Sequence, residues 1–120
     1  MARLNRALER QKRHRRIRKQ VIGSSERPRL CITKTLHHLY AQVIDDSAGR
    51  TLAQASTLDP GLRADGKGPN AKTAVRVAAL LSERAAQAGV RAVVFDRGGH
   101  PYHGVVSAFA EECRKGGLEF

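Results

Sequence analysis

The chain has 120 residues, enough for one domain of ordinary size, and its 22 Lys and Arg against 11 Asp and Glu give a formal charge of +11. That excess predicts a polyanionic partner. Aromatic residues at 4% and the absence of Trp argue against a stacking platform for unpaired bases. Apolar runs of only a few residues exclude a membrane-spanning helix. A basic N-terminus without an apolar h-region predicts a cytoplasmic chain.

The charge is concentrated at the start. Residues 1–29 carry eleven basic side chains and two acidic ones, Glu9 and Glu26, whereas the rest of the chain carries eleven against nine. Such a block repels itself. With Leu4, Leu8, Ile17, Val21 and Ile22 as its large apolar groups it cannot build a core, so alone it is expected to be largely disordered. Leu4 and Leu8 lie four apart among good helix formers, which predicts a helix once the charge is neutralised. Arginine outnumbers lysine, and its planar fork suits phosphates and guanine edges. Arg3, Arg6, Arg10, Lys12, Arg13, His14, Arg15, Arg16, Arg18, Lys19, Arg27 and Arg29 are therefore candidate nucleic-acid contacts. A membrane-surface helix is disfavoured because the apolar residues are too few for a wide insertion face. The division read here is a basic arm, 1–27, and a single globular α/β domain, 28–120.

After Pro28, RLCITKT from Arg29 to Thr35 alternates Leu30 and Ile32 with Cys31, Thr33 and Thr35, as a strand does. LYAQVID from Leu39 to Asp45 places Leu39, Ala41 and Val43 on one face and Tyr40, Gln42 and Ile44 on the other. A turn through Asp46, Ser47 and Gly49 leads into a third strand, Thr51 to Thr57. Three sequential strands predict an antiparallel meander. Asp59 to Pro69 has no apolar period and reads as an exposed loop. Asn70 is a candidate cap for a helix whose apolar stripe is Ala71, Ala74, Val75, Ala78, Leu81 and Ala85, with Gly89 ending it. RAVVF, Arg91 to Phe95, is almost continuously apolar and predicts a strand central in the sheet. A last helix starts near Gly104 with Val105, Ala108, Phe109 and Cys113 inward, ending at Gly116 and Gly117. The fold class is thus α/β: a three-stranded meander plus a fourth strand reached by a helical crossover, helices packed on the sheet.

Asp96 to Gly104, DRGGHPYHG, follows the fourth strand, where ligand sites of open α/β sheets gather. Asp96 with His100 or His103 offers a general-base pair and Arg97 an oxyanion partner, as in a small phosphoesterase. The rest of such an enzyme is missing: there is no second carboxylate set, no G-x-S-x-G elbow and no Walker lysine. No catalytic residue is assigned. Recognition suits the loop better, since glycines let backbone N–H groups approach phosphates while Arg97, His100, Tyr102 and His103 offer hydrogen bonds. Cys31, Cys113 and the histidines lack any zinc-ligand spacing, so no metal and no cofactor is expected. Both cysteines read as small buried hydrophobes.

Several segments, in order, resemble the 5S rRNA-binding ribosomal proteins of the large subunit, universal family eighteen. ERPRLCITKTLHHLYAQVIDD resembles R-P-R-L-x-V-x-x-S-x-x-H-I-Y-A-Q-V-I-D-D. Gly49 to Thr57 resembles G-x-T-L-A-x-A-S-T, VVFDRGGHPYHGVV resembles V-V-F-D-R-G-G-Y-x-Y-H-G-R-V, and RKGGLEF resembles R-E-G-G-L-x-F. His100 stands where the family has Tyr, Val105 where it has Arg, Thr35 where it has Ser, and Ala78 with Ala79 where it has Val-Gly. The resemblance implies a non-catalytic role in the cytoplasmic ribosome: attaching 5S rRNA to 23S rRNA in the central protuberance, beside proteins of families five and twenty-seven. The sequence carries no signal for self-association, and none is predicted. The resemblance also implies RNA contacts on the arm, on Thr35, His37, His38, Tyr40 and Gln42, and on Arg97, Gly98, Gly99, His100, Tyr102, His103 and Gly104, with the neighbouring Lys34 added as a candidate. Two other functions compete with that role, the phosphoesterase using Asp96 and His103 and an RNA chaperone acting off the ribosome.

Overall fold

The computed structural model describes residues 6–19, 22–59, 62, 70–100 and 104–120. In chain order they form α1 (Arg6–Arg18), β1 (Arg29–Lys34), β2 (Leu39–Asp45), β3 (Arg50–Ser56), α2 (Ala71–Gln87), β4 (Val94–Asp96) and α3 (Val105–Lys115). The sheet runs β3-β2-β1-β4. Its first three strands are the antiparallel meander and β4 is parallel to β1. A parallel neighbour needs a crossover rather than a hairpin, and α2 supplies it.

Period-two alternation gives the sheet two unlike faces. Leu30 and Ile32 of β1, Leu39, Ala41 and Val43 of β2, and Ala53 and Ala55 of β3 pack against Ala74, Val77, Ala78, Leu81 and Ala85 of α2 and against Phe109 and Cys113 of α3. The register places Thr33 opposite Tyr40 and Cys31 opposite Gln42, and Gln42 opposite Gln54. Those residues form the other face, on which Thr33, Gln42 and Gln54 are exposed and Tyr40 is half-buried.

Asn70 caps α2 as its sequence predicts. Its Oδ1 accepts from the Thr73 amide at 2.9 Å, and the Thr73 hydroxyl accepts from the Asn70 amide at 2.9 Å, a reciprocal capping box. At the other end Val90 N–H donates to Ala85 O and Gly89 N–H to Ala86 O. This paired ending needs a left-handed residue, which Gly89 supplies at φ 79°.

Three expectations are corrected. The buried stripe of α2 is Thr73, Ala74, Val77, Ala78, Leu81, Ser82 and Ala85, so Val77 takes the place expected for Val75, which is 37% exposed, and Ala71 is also exposed. In so alanine-rich a helix the phase is weakly marked. On α3, Val106 and Ala110 are buried with Phe109 and Cys113, while Val105 and Ala108 are half-buried. The strand at RAVVF begins only at Val94 and lies at the sheet edge. It is apolar because Val93 is in the core and Phe95 packs on Phe109 and Phe120, with ring centroids 6.5 and 5.2 Å away.

Groups from elsewhere in the chain engage the backbone just before β4 and the backbone of β3. Val93 N–H donates to Glu119 O, and Glu119 N–H to Arg91 O. On β3, Arg84 Nη1 donates to Gln54 O at 2.7 Å and the Ser56 amide donates to Asp59 Oδ2 at 2.8 Å. A 3.0 Å bond from Arg84 Nη2 to Asp59 Oδ1 joins the two groups.

Candidate nucleic-acid interface

α1 buries no side chain, yet it lies against the body through polar contacts. Arg13 Nε donates to Gly99 O at 3.0 Å, His14 Nε2 hydrogen-bonds Asp96 Oδ2 at 2.8 Å, and Arg18 Nη1 is 3.6 Å from Asp46 Oδ2. Arg10, His14, Ile17 and Arg18 are half-buried, whereas Lys12, Arg15, Arg16 and Lys19 are exposed. The exposed four follow i, i+3, i+4 and i+7 spacing, one stripe along the helix and its end, with Glu9 3.5 Å from Lys12 Nζ. The arm, expected to be largely disordered alone, is helical here over Arg6–Arg18. Body carboxylates, rather than phosphates, meet part of its charge.

Beneath the helix is a buried ionic network. Asp96 is 0% exposed and accepts from Arg29 Nη1 at 2.7 Å and from the Gly98 amide at 2.9 Å besides His14. Arg29 also grips Asp46 with Nε at 3.0 Å and Nη2 at 3.1 Å, and the Gly23 amide donates to Asp46 at 2.6 Å. Burial alone would push the Asp96 carboxyl up, but the donors His14, Gly98 and Arg29 hold it below the usual range. Hydrogen bonding to Arg29 holds Asp46 down likewise. Burial opposes the Arg29 charge, and the bonds to Asp46 and Asp96 override it and raise its pKa. Arg29, a candidate contact by charge, is thus committed inside the body.

Asp96 does not pair with His100. The His100 Nε2 faces the Lys34 amide at 3.4 Å, and burial, followed by the charges of Arg10, Lys34, Arg13 and His14, pulls its pKa down to about 4. A neutral imidazole accepting from a backbone amide is neither a phosphate cation nor half of a catalytic dyad. His14 Nε2, Cys31 Sγ and an Asp96 oxygen lie within 4.8 Å of one another. The carboxylate is already saturated with N–H donors, and burial, with the Asp96 charge, pushes the Cys31 thiol up. Hydrogen bonding is favoured there over ligation.

The other candidates are distributed over the open sheet face and its ends. Thr35 and His38 lock the β1–β2 turn, with the Thr35 hydroxyl 3.2 Å from His38 N and O. His38 Nδ1 is held 3.1 Å from the Thr57 hydroxyl, leaving His37 exposed. Tyr40 and Gln42, with Gln54, Ser56 and Arg84, border a hollow of about 350 Å³. Arg27, Arg97 and Gly104 are exposed, Lys34 and Gly98 half-buried, and Gly99 buried beneath α1. Arg3, Tyr102 and His103 lie outside the described residues. Thr33 and Gln54 were not singled out from sequence, though strand alternation already places a polar, uncharged row opposite Leu30 and Ile32. Asp46 reads in sequence as a turn residue, and its ionic role is hidden because its partners Gly23, Arg18 and Arg29 come from other segments.

No helix among the described residues is long and apolar enough to cross a membrane. The family described as ribosomal L18 of archaea, bacteria, mitochondria and chloroplast matches residues 4–120. Among curated relatives named large ribosomal subunit protein uL18, that of Caldanaerobacter subterraneus subsp. tengcongensis is 54% identical over 92% of each chain. Those of Aquifex pyrophilus and Thermotoga petrophila are 53% and 52% identical, each over 93% of both chains.

Proposed function

The chain belongs to the ribosomal L18 family and is a structural constituent of the large ribosomal subunit; from that premise we propose that it binds 5S rRNA and helps attach it to 23S rRNA in the central protuberance. One observation carries the reading: a cationic stripe on α1 is held beside an open sheet face whose exposed side chains, Thr33, Gln42 and Gln54, are polar and uncharged. Cations track phosphates, while neutral donors and acceptors suit the 2′-hydroxyls and base edges of a shallow RNA minor groove. Arg6, Lys12, Arg15, Arg16, Lys19, Arg27 and Arg97 supply phosphate contacts, and His37, Tyr40 and Gln42 act with the sheet face. The role we infer is structural and non-enzymatic, as the family implies, and the engagement of Asp96 by Arg29, Gly98 and His14 supports it. Proteins of families five and twenty-seven are its neighbours.

The test is binding of the full chain to 5S rRNA and to an unrelated folded RNA across a salt series. If about 6–10 phosphates are neutralised, affinity falls roughly 10³- to 10⁵-fold between 50 and 200 mM salt, with 5S rRNA preferred throughout. Equal affinity for both RNAs overturns the reading in favour of generic polyanion binding, as an RNA chaperone would show.

A further inference from the structure

An amphipathic helix normally docks by burying an apolar stripe, and α1 has none. What the body offers instead is anionic. Asp96 and Asp46 share the one guanidinium of Arg29, which leaves a local charge of −1 at the surface that α1 covers. His14 and Arg18 reach these carboxylates and Arg13 reaches the neighbouring Gly99 carbonyl, all three from one side of the helix. Gly99 lets the helix come this close: a Cβ there would run into the Arg10 carbonyl and lie 3.1 Å from the His14 amide.

We propose that His14 and Asp96 are positioning residues for RNA binding: their hydrogen bond fixes the rotation of α1 on the sheet, so that Lys12, Arg15, Arg16 and Lys19 are presented outward beside the open face. This rests on the RNA-binding reading above. It changes the role of His14 from an RNA contact to an internal latch. It also changes when the arm is ordered, because a helix already seated on the body meets RNA with part of its ordering cost met in advance.

The experiment uses the full chain and His14→Ala, His14→Gln and Asp96→Asn variants. Amide hydrogen exchange of residues 10–18 is measured without RNA, and affinity for 5S rRNA across a salt series. His14→Ala is expected to speed exchange in α1 while leaving β1 and β2 protected. It is expected to weaken 5S rRNA binding about 3- to 10-fold, the scale of a partly exposed charge-assisted hydrogen bond, with an unchanged salt slope. His14→Gln, which keeps a donor, restores protection and affinity in part. Asp96→Asn repeats the α1 effect, and the His14 variants carry the test if that protein does not fold.

Unchanged exchange in α1 on His14→Ala overturns the inference. So does an affinity loss accompanied by a shallower salt slope, which marks His14 as a direct phosphate contact. A wild-type chain that binds both RNAs equally sinks the 5S rRNA reading instead, while the exchange data still decide whether the latch exists.

Discussion

Arg29 meets Asp46 side-on, with Nε 3.0 Å from Oδ2 and Nη2 3.1 Å from Oδ1, and its remaining nitrogen reaches Asp96 at 2.7 Å. Three carboxylate bonds from one planar fork are a structural commitment. Arg29→Met leaves Asp96 buried without its countercharge, so unfolding in urea should show a loss of about 3–5 kcal/mol in the free protein. Arg29→Lys keeps the charge but not the fork and should recover only part. An unchanged midpoint for both variants would mean that the network does not hold the sheet and loop together.

The exposed stripe should behave oppositely. Alanine at Lys12, Arg15, Arg16 or Lys19 is expected to leave stability within about 0.5 kcal/mol of wild type. Each change should reduce the slope of log affinity against log salt for 5S rRNA by roughly 0.7–0.9. Four substitutions that leave the slope intact would place the phosphates elsewhere.

His100 sets the acid side of the stability profile. Its pKa is pulled from 6.5 to about 4, so the unfolded chain takes up this proton before the folded one does. Stability should therefore fall as pH drops from 6.5 towards 4. Asp46, Asp59 and Asp96, whose pKa values are lowered from 3.8, contribute stability present above that value and lost as pH falls further. Urea midpoints against pH should show both segments, and His100→Gln should flatten the first. The same variant should leave the RNA salt slope unaltered, because a neutral imidazole releases no counterion.

Both thiols should be inert in the native protein. Cys31 and Cys113 are free and buried. Burial pushes the Cys113 pKa up to about 12 and raises that of Cys31, so little thiolate is available to react. Iodoacetamide should label neither near neutral pH and both in denaturant. Rapid native labelling of Cys31 would show that α1 leaves the surface above it open.

Where the fold was legible, one face of an element was apolar and the other was not. Leu30 and Ile32, then Leu39, Ala41 and Val43, alternate cleanly, so the meander follows from the sequence, whereas the register shift between Val43 and Ile44 does not. In α2 the contrast between Val75 and Val77 among alanines is too low to fix the helix phase. The edge position of β4 was hidden because Phe95 is covered by Phe120, a contact between residues far apart in sequence. The charge stripe was legible as charge but not as a stripe, because arginines at Arg13, Arg15, Arg16 and Arg18 look alike until His14 is seen to face Asp96, 82 positions away. Polar docking leaves no hydrophobic period to read.

The bonds at the two ends of the sheet bear on what happens before the protein meets its RNA. A four-stranded sheet has two margins, and unpaired amides and carbonyls there invite a second copy to add its own strand. On β4's side Glu119 engages backbone next to the strand. On β3, Arg84 occupies the Gln54 carbonyl and Asp59 the Ser56 amide. Because the β3 caps come from the chain itself, a newly made molecule awaiting assembly carries its own protection against strand-to-strand aggregation at that margin.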